Sequence, residues 1–272
     1  MRRFVPFLKK PPVVPVIRLQ GAIASGGRLG GGTLNDAGMA PLIERAFRGK
    51  PAAVALVINS PGGSPVQSSL IAARIRRLAD KHKVEVHAFV EDVAASGGYW
   101  LACAGDRIWV DRSSIVGSIG VIFASFGFHE LMARQGIERR VHTAGRSKSL
   151  ADPFQPEKPE DVARLRALQE PIHAAFIQHV KDRRGDRLDA TADLFNADVW
   201  VGEAAVPLGL VDGIGHLVPK MQEIFGEKVR LVPLGQRRGL MSRLGFGAAA
   251  QAAAGAVIDV AEERALWARW GL

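Results

Sequence analysis

The stretch Val84 to Trp100 reads VEVHAFVEDVAASGGYW, and it carries the decisive turn of the chain. Val84, Val86, Ala88 and Val90 alternate as strand residues do. Small residues follow, from Ala94 to Gly98, and open a predicted helix that runs to about Ala104. Ser96 therefore stands where a strand gives way to a helix. Ala94 and Ala95 leave space beside it, and Gly97 and Gly98 admit a close backbone. Backbone N–H groups at a helix start also favour developing negative charge. Taken alone, the same serine reads first as an ordinary helix cap.

Outward from this turn, strands and helices alternate. Val13 to Leu19, Val54 to Ile58, Arg107 to Val110 and Arg139 to Thr143 read as strands. Met39 to Phe47, Ser68 to Lys81, Phe128 to Gln135, Pro159 to Asp182 and His216 to Phe225 read as helices. Trp200 to Ala205 begins another helical stretch, closing at Leu208 to Asp212. Asn59 to Pro65 is a turn rich in proline and glycine, and Asp152 to Pro159 is a proline-rich loop. The glycines from Gly21 to Gly32 lack a Gly-Lys-Ser or Gly-Lys-Thr ending, so they read as a connector near a site, not a nucleotide cradle. This order predicts an α/β layer structure with right-handed crossovers. Ligands of such folds gather at the carboxyl ends of strands, where Pro61-Gly62-Gly63 and Ser96 both fall.

Composition narrows the classes. Lys and Arg outnumber Asp and Glu by 36 to 27, a net charge of +9, which favours acidic partner surfaces. The basic residues are scattered and carry no nucleic-acid motif, so a nucleic-acid partner is not expected. One cysteine excludes an internal disulfide and argues against a structural zinc site. Cys103, between Ala102 and Ala104, reads as a buried small hydrophobe. No apolar run is long enough to span a membrane, and Pro11, Pro12 and Pro15 interrupt the basic start Met1 to Lys10. The expectation is a cytoplasmic protein or a peripheral one at the inner membrane. Three regions are expected: a basic tail over 1–12, a main domain over 13–230, and an extension over 231–272 with an alanine-rich helix from Ala248 to Trp270.

A lysine far downstream gives Ser96 a candidate partner. Lys148 lies in Ala144-Gly145-Arg146-Ser147-Lys148-Ser149. A serine hydroxyl is a weak nucleophile alone, and a neutral lysine amine can take its proton. Lysines serve this way where burial among apolar groups favours the neutral form. Gly62 and Gly63 offer oxyanion donors, or simply an ordinary turn. Ser118, in Gly117-Ser118-Ile119-Gly120, offers a hydroxyl to orient the lysine, or a turn serine. The seven histidines are dispersed, and neither His82 nor His87 is placed for a triad with Ser96 and Asp92. No His-Glu-x-x-His pattern and no Walker motif occur.

Four ordered motifs now carry a resemblance. Ser60-Pro61-Gly62-Gly63, Ala95-Ser96-Gly97-Gly98-Tyr99, Gly117-Ser118-Ile119-Gly120 and Ala144 to Lys148 resemble the signal peptide peptidase A family, closest to its short SohB-like branch. The similarity covers roughly Val14 to Val218. It implies a Clp protease/crotonase-like fold, with stacked β-sheet layers and surrounding helices. It implies a serine endopeptidase with a Ser-Lys dyad: Ser96 as nucleophile, Lys148 as base, Ser118 as the base-orienting hydroxyl. Gly62, Gly63 and Gly97 would form the oxyanion hole. No cofactor and no metal are required. The substrates would be signal-peptide remnants or other unfolded apolar peptides, the assembly a homo-oligomer with sites near subunit interfaces. Peripheral membrane contact is compatible with the basic tail. Ala204 to Asp212 resembles a segment of the wider fold, read as structural. Two competing readings are a crotonase-like acyl-CoA enzyme and an inactive membrane-associated scaffold.

Overall fold

The computed structural model describes residues 11–25, 33–145, 147–235, 264 and 266–271. Most of the expected basic tail, part of the Gly21 to Gly32 loop, Arg146 and most of the Ala248 to Trp270 helix lie outside them. The chain divides into two compact units, Met1–Ile119 with His179–Leu272, and Gly120–Gln178.

The first unit is built on strands β1 (Val13–Gln20), β2 (Val54–Ser60), β3 (Val86–Ala95), β4 (Arg107–Val110) and β5 (Ile115–Gly117). Helices α1 (Asp36–Ala46), α2 (Pro65–His82) and α3 (Gly97–Ala102) lie between them in sequence. The second unit carries α4 (His129–Arg134) and most of α5 (Pro159–Arg184), whose last turns belong to the first unit. Strands β6 (Val199–Val201) and β7 (Gly213–Ile214), helix α6 (Leu217–Phe225) and strand β8 (Arg230–Leu234) complete the first unit.

The strands form one mixed sheet in the order β6-β5-β3-β2-β1-β8, with β4 branching from β3 and β7 pairing β4. All pairs are parallel except β5 with β6. Both faces of the central strands are covered, as parallel sheets require. Every residue of β2 is buried. Ile17, Leu56, Ala88 and Ile108 stand in register on one face, all fully buried. Val14, Val16, Ala55, Val57 and Phe89 form the opposite face and pack with Met221, Leu217 and Phe225 of α6.

The sheet forks at β3. Its first half pairs β4, ending at Val90 with Val110; its second half pairs β5, beginning at Val93 with Ile115. This fork lets one strand serve two neighbours in turn.

Two expectations are corrected. Arg139 to Thr143 forms no strand; it is irregular and mostly exposed. Without a neighbouring strand its backbone groups have no ladder to join. Trp200 to Ala205 is not one helical stretch. Val199–Val201 is a strand paired with β5, and the helical part is a 3₁₀ turn over Gly202–Ala205.

The segment that closes at Asp212 ties the unit together. The Asp212 carboxylate accepts from Arg184 Nη1 at 2.7 Å, Ile108 N–H at 2.7 Å and Arg187 Nη1 at 3.1 Å. Burial alone would push this carboxyl up. Arg184, by hydrogen bond and charge, together with Ile108 N–H and Arg187, outweighs burial and holds it below the usual carboxylate range. A depressed pKa stabilises the fold at neutral pH, and the contribution fades as pH falls through the folded pKa. Asp212→Ala leaves the buried Arg184 without its anion and is expected to cost about 3–5 kcal/mol at pH 7. Denaturant unfolding should show that deficit at pH 7 and a smaller one near pH 3, where the wild-type carboxylate is itself being protonated.

Candidate active site

The carboxyl ends of β2, β3 and β5 lie side by side. Ser60 pairs Ala94, and Ala95 pairs Gly117. Gly62, Ser96 and Ser118 therefore follow three adjacent strands at one edge, where α/β sheets place their ligands.

Ser96 has φ +51° and ψ −121°, a backbone conformation that side chains rarely adopt. Such a residue costs about 1–3 kcal/mol and persists only where its surroundings hold it. Here they do. Its N–H donates to Gly117 O at 2.9 Å, and its carbonyl accepts from the N–H groups of Tyr99 and Trp100 at 2.9 and 3.0 Å. The side chain makes no capping hydrogen bond, so the helix-cap reading of Ser96 is set aside. The sharp strand-to-helix turn holds the residue as a nucleophile elbow does.

Helix α3 is anchored from behind. The Tyr99 hydroxyl donates to Leu210 O at 2.6 Å. Trp100 stacks on His179 with ring centroids 4.9 Å apart. Burial favours the neutral form of that imidazole. Cys103 is fully buried, and burial pushes its thiol up to about 11, as suits a packing residue.

The glycine turn packs flush against this elbow. Gly62 has φ +104°, and a Cβ there would lie 2.8 Å from Ala95 O and 2.9 Å from the Ser96 Cβ. A Cβ on Gly63 would collide with Ile23 O. A Cβ on Gly97 would lie 2.5 Å from Ser68 Oγ and 3.4 Å from Gly63 N. The three backbones thus meet at one spot. Gly62 N–H donates to Ser60 Oγ at a long 3.3 Å. The N–H groups of Gly63 and Gly97 donate to nothing among the described residues.

Ser118 also has positive φ, +52°, and is nearly buried. Its N–H donates to Asp198 O at 2.7 Å, and its hydroxyl has no hydrogen bond among the described residues. Gly117 before it admits no side chain, because a Cβ would lie 2.7 Å from the Trp200 ring.

Ser96, Ser118, Gly62, Gly63 and Gly97 all belong to the first unit, whereas Lys148 belongs to the second. Lys148 is exposed on a turn, its N–H donating to Gly145 O at 3.2 Å. The same turn ends at Asp152, which is held by Arg139 at 3.0 Å. Phe154 beyond it stacks on Phe128 with centroids 5.7 Å apart.

Sequence reasoning overlooked Asn59 and treated Asp92 only as a possible triad member. Asn59 Nδ2 donates to Asp92 Oδ2 at 2.5 Å. An amide immediately before a Ser-Pro-Gly-Gly turn was the available signal.

Replacing Gly97 by Ala should break the fit between the elbow and the turn. The expected outcome is a folded protein destabilised by about 1–3 kcal/mol. Its Ser96 should react with a phosphonofluoridate at least tenfold more slowly than in the wild type, which mass spectrometry of the labelled peptide would measure.

Residues 78–224 match the sequence profile of Peptidase family S49. The chain is 31% identical over 161 residues to the chloroplastic serine protease SPPA of Arabidopsis thaliana, covering 59% of this chain and 24% of that protein. It is 50% identical over 286 aligned positions to a Brucella melitensis protein named Na(+)/H(+) antiporter NhaA, covering all of this chain and 39% of that protein. The chain thus spans about two fifths of that relative's length. Among the described residues no helix is long and apolar enough to cross a membrane. A solved structure of a 1510-N membrane-bound stomatin-specific protease with a substrate peptide aligns with a TM-score of 0.54 at 16% identity. That alignment covers 86% of this chain and 96% of the other, and it is a likeness of fold alone.

Proposed function

The chain belongs to peptidase family S49, and on that premise we propose that it is a serine endopeptidase in which Ser96 is the nucleophile and Lys148 the general base. The observation that carries the reading is the Ser96 elbow: positive φ, no capping role, and the unengaged N–H groups of Gly63 and Gly97 beside it.

The Lys148 amine takes the Ser96 Oγ proton as the oxygen attacks the scissile carbonyl. The carbonyl oxygen becomes an oxyanion, and backbone N–H groups of the Gly62–Gly63 turn and Gly97 receive it. The lysine ammonium then gives its proton to the leaving amine, which departs and leaves an ester on Ser96. Water enters, loses a proton to the lysine amine and attacks the ester. Collapse of the second tetrahedral species returns the proton to Ser96 Oγ and frees the acid. The Ser118 hydroxyl holds the lysine amine in line.

Substrates in this reading are signal-peptide remnants or other unfolded apolar peptides. Ile122 and Phe126, 70% and 80% exposed in the second unit, suit apolar peptides or a neighbouring subunit. A homo-oligomer with sites near subunit interfaces, and a peripheral contact of the basic tail with membrane, belong to the same proposal. So does a peptidase domain over 13–230 with a Clp protease/crotonase-like fold, which the forked sheet supports.

The test is hydrolysis of a library of apolar peptides by the wild type, Ser96→Ala and Lys148→Ala, each checked for the same assembly. Both variants should lose about 10³-fold or more in kcat/KM. Equal cleavage by all three would overturn the mechanism.

A further inference from the structure

We propose that Asn59 is a positioning residue, tying the oxyanion turn to the strand that carries the nucleophile; this rests on the Ser96 reading above. The register of β2 against β3 is irregular. Ile58 pairs Val90 and Ser60 pairs Ala94, so Asn59 alone stands opposite Glu91, Asp92 and Val93. A bulge of this kind breaks the ladder and leaves backbone groups to be satisfied otherwise.

Side chains do that work. Val93 N–H donates to Asn59 Oδ1 at 3.3 Å, and Asn59 Nδ2 donates to Asp92 Oδ2 at 2.5 Å. On the other side of β3, Ser114 Oγ approaches Val90 O at 3.2 Å and Glu91 O at 2.5 Å. The Asn59 carbonyl accepts from Gly21 N–H at 3.0 Å, while Ser60 Oγ donates to Gly21 O at 2.7 Å.

Opposite a carboxylate, an amide meets both needs of the position. One atom must accept from a backbone N–H and the other must donate to a carboxylate. An ionised aspartate offers no donor, and an apolar residue offers neither. Asn59 is nearly buried, so its bond from Val93 N–H is not readily replaced by water, while Asp92 on the other side is exposed. Through them the residue before Ser60-Pro61-Gly62-Gly63 grips β3 three and four residues before Ser96. The Ser96 Oγ and the Gly63 N–H are thereby held in one frame. The bulge also swings β3 from β4 to β5, the strand whose Gly117 carbonyl receives Ser96 N–H.

Asp92 lines a cavity of about 640 Å³ with Arg18, Glu91, Asp111 and His216. Arg18 pairs with Glu91 at 2.6 Å, and His216 with Asp111 at 2.8 Å. Among the described residues these are the other charged groups that line the cavity.

Asn59→Asp is the informative substitution. At low pH the two carboxyls share one proton, and the protonated member donates as the amide did. As pH rises that proton is lost and two anions face each other across the bulge. The measurement is the rate at which a phosphonofluoridate labels Ser96, taken from pH 5 to 8 and divided by the wild-type rate at each pH. The division removes titration common to both proteins, including the Asp111–His216 pair. Circular dichroism at each pH confirms folding.

The ratio for Asn59→Asp should fall at least tenfold from pH 5 to 8. Asp92→Asn, which cannot ionise, should give a ratio that does not change with pH. The double variant N59D/D92N, with donor and acceptor exchanged, should recover to within about threefold of wild type at pH 8 if the exchanged pair forms one such bond. A flat ratio for Asn59→Asp, or a double variant as slow as the single, would overturn the positioning role. Should Asn59→Asp not fold, the double variant and Asp92→Asn decide: rates below one tenth of wild type in both would overturn it. Failure of the wild type itself to label at Ser96 would overturn the peptidase reading, and this inference with it.

Discussion

The Asp212 carboxylate is the point on which the first unit hangs. It receives Ile108 N–H from β4, Arg184 from the end of α5 and Arg187 from the 3₁₀ turn that follows. The same segment offers Gly209 O to Arg184 at 2.7 Å and Leu210 O to the Tyr99 hydroxyl at 2.6 Å. Tyr99 is fully buried in α3, three residues after Ser96. The serine elbow is therefore braced by residues more than a hundred positions downstream. A buried ion pair of this kind adds little net stability over an apolar substitute, but losing one partner is costly. Its use here is geometric: planar guanidinium and carboxylate groups fix directions as apolar contacts do not.

Much of this architecture was legible in the chain. The helices show their 3.6-residue period, and Val54 to Ile58 announces a central strand by its unbroken apolar run. The placement of Gly62 and Ser96 at one edge followed from their positions after strands, whereas Ser118 joins them through β5, a strand the sequence did not announce. Other elements were silent because their identity is relational. Val199–Val201 is a strand only because β5 lies beside it, and Arg139 to Thr143 is none because nothing does. Asn59 read as part of a turn, since its meaning lies in a register mismatch with a strand more than thirty residues away. The Asp212 segment announced itself as structural, but not which groups it would bind.

Left-handed backbone occurs at two of the motif serines. Ser96 and Ser118 both have φ near +50°, although neither is glycine. Each follows the last residue of a strand, and Gly117, between them in space, receives one and precedes the other. A hydroxyl-bearing residue in such a conformation is a cost the fold sustains at two adjacent strand ends. The proposed base lies in the other compact unit.

The sheet's outer strands are short. β8 has five residues and carries Pro233, which removes one N–H donor; β6 has three residues and β7 two. Strand edges are templates on which other chains can add by backbone pairing, and brevity and proline both blunt them. A chain with the proposed peptidase role would meet this hazard whenever an extended peptide reached a strand edge. By keeping its long strands in the middle, this fold presents little free ladder on which a stray peptide could nucleate a fibril.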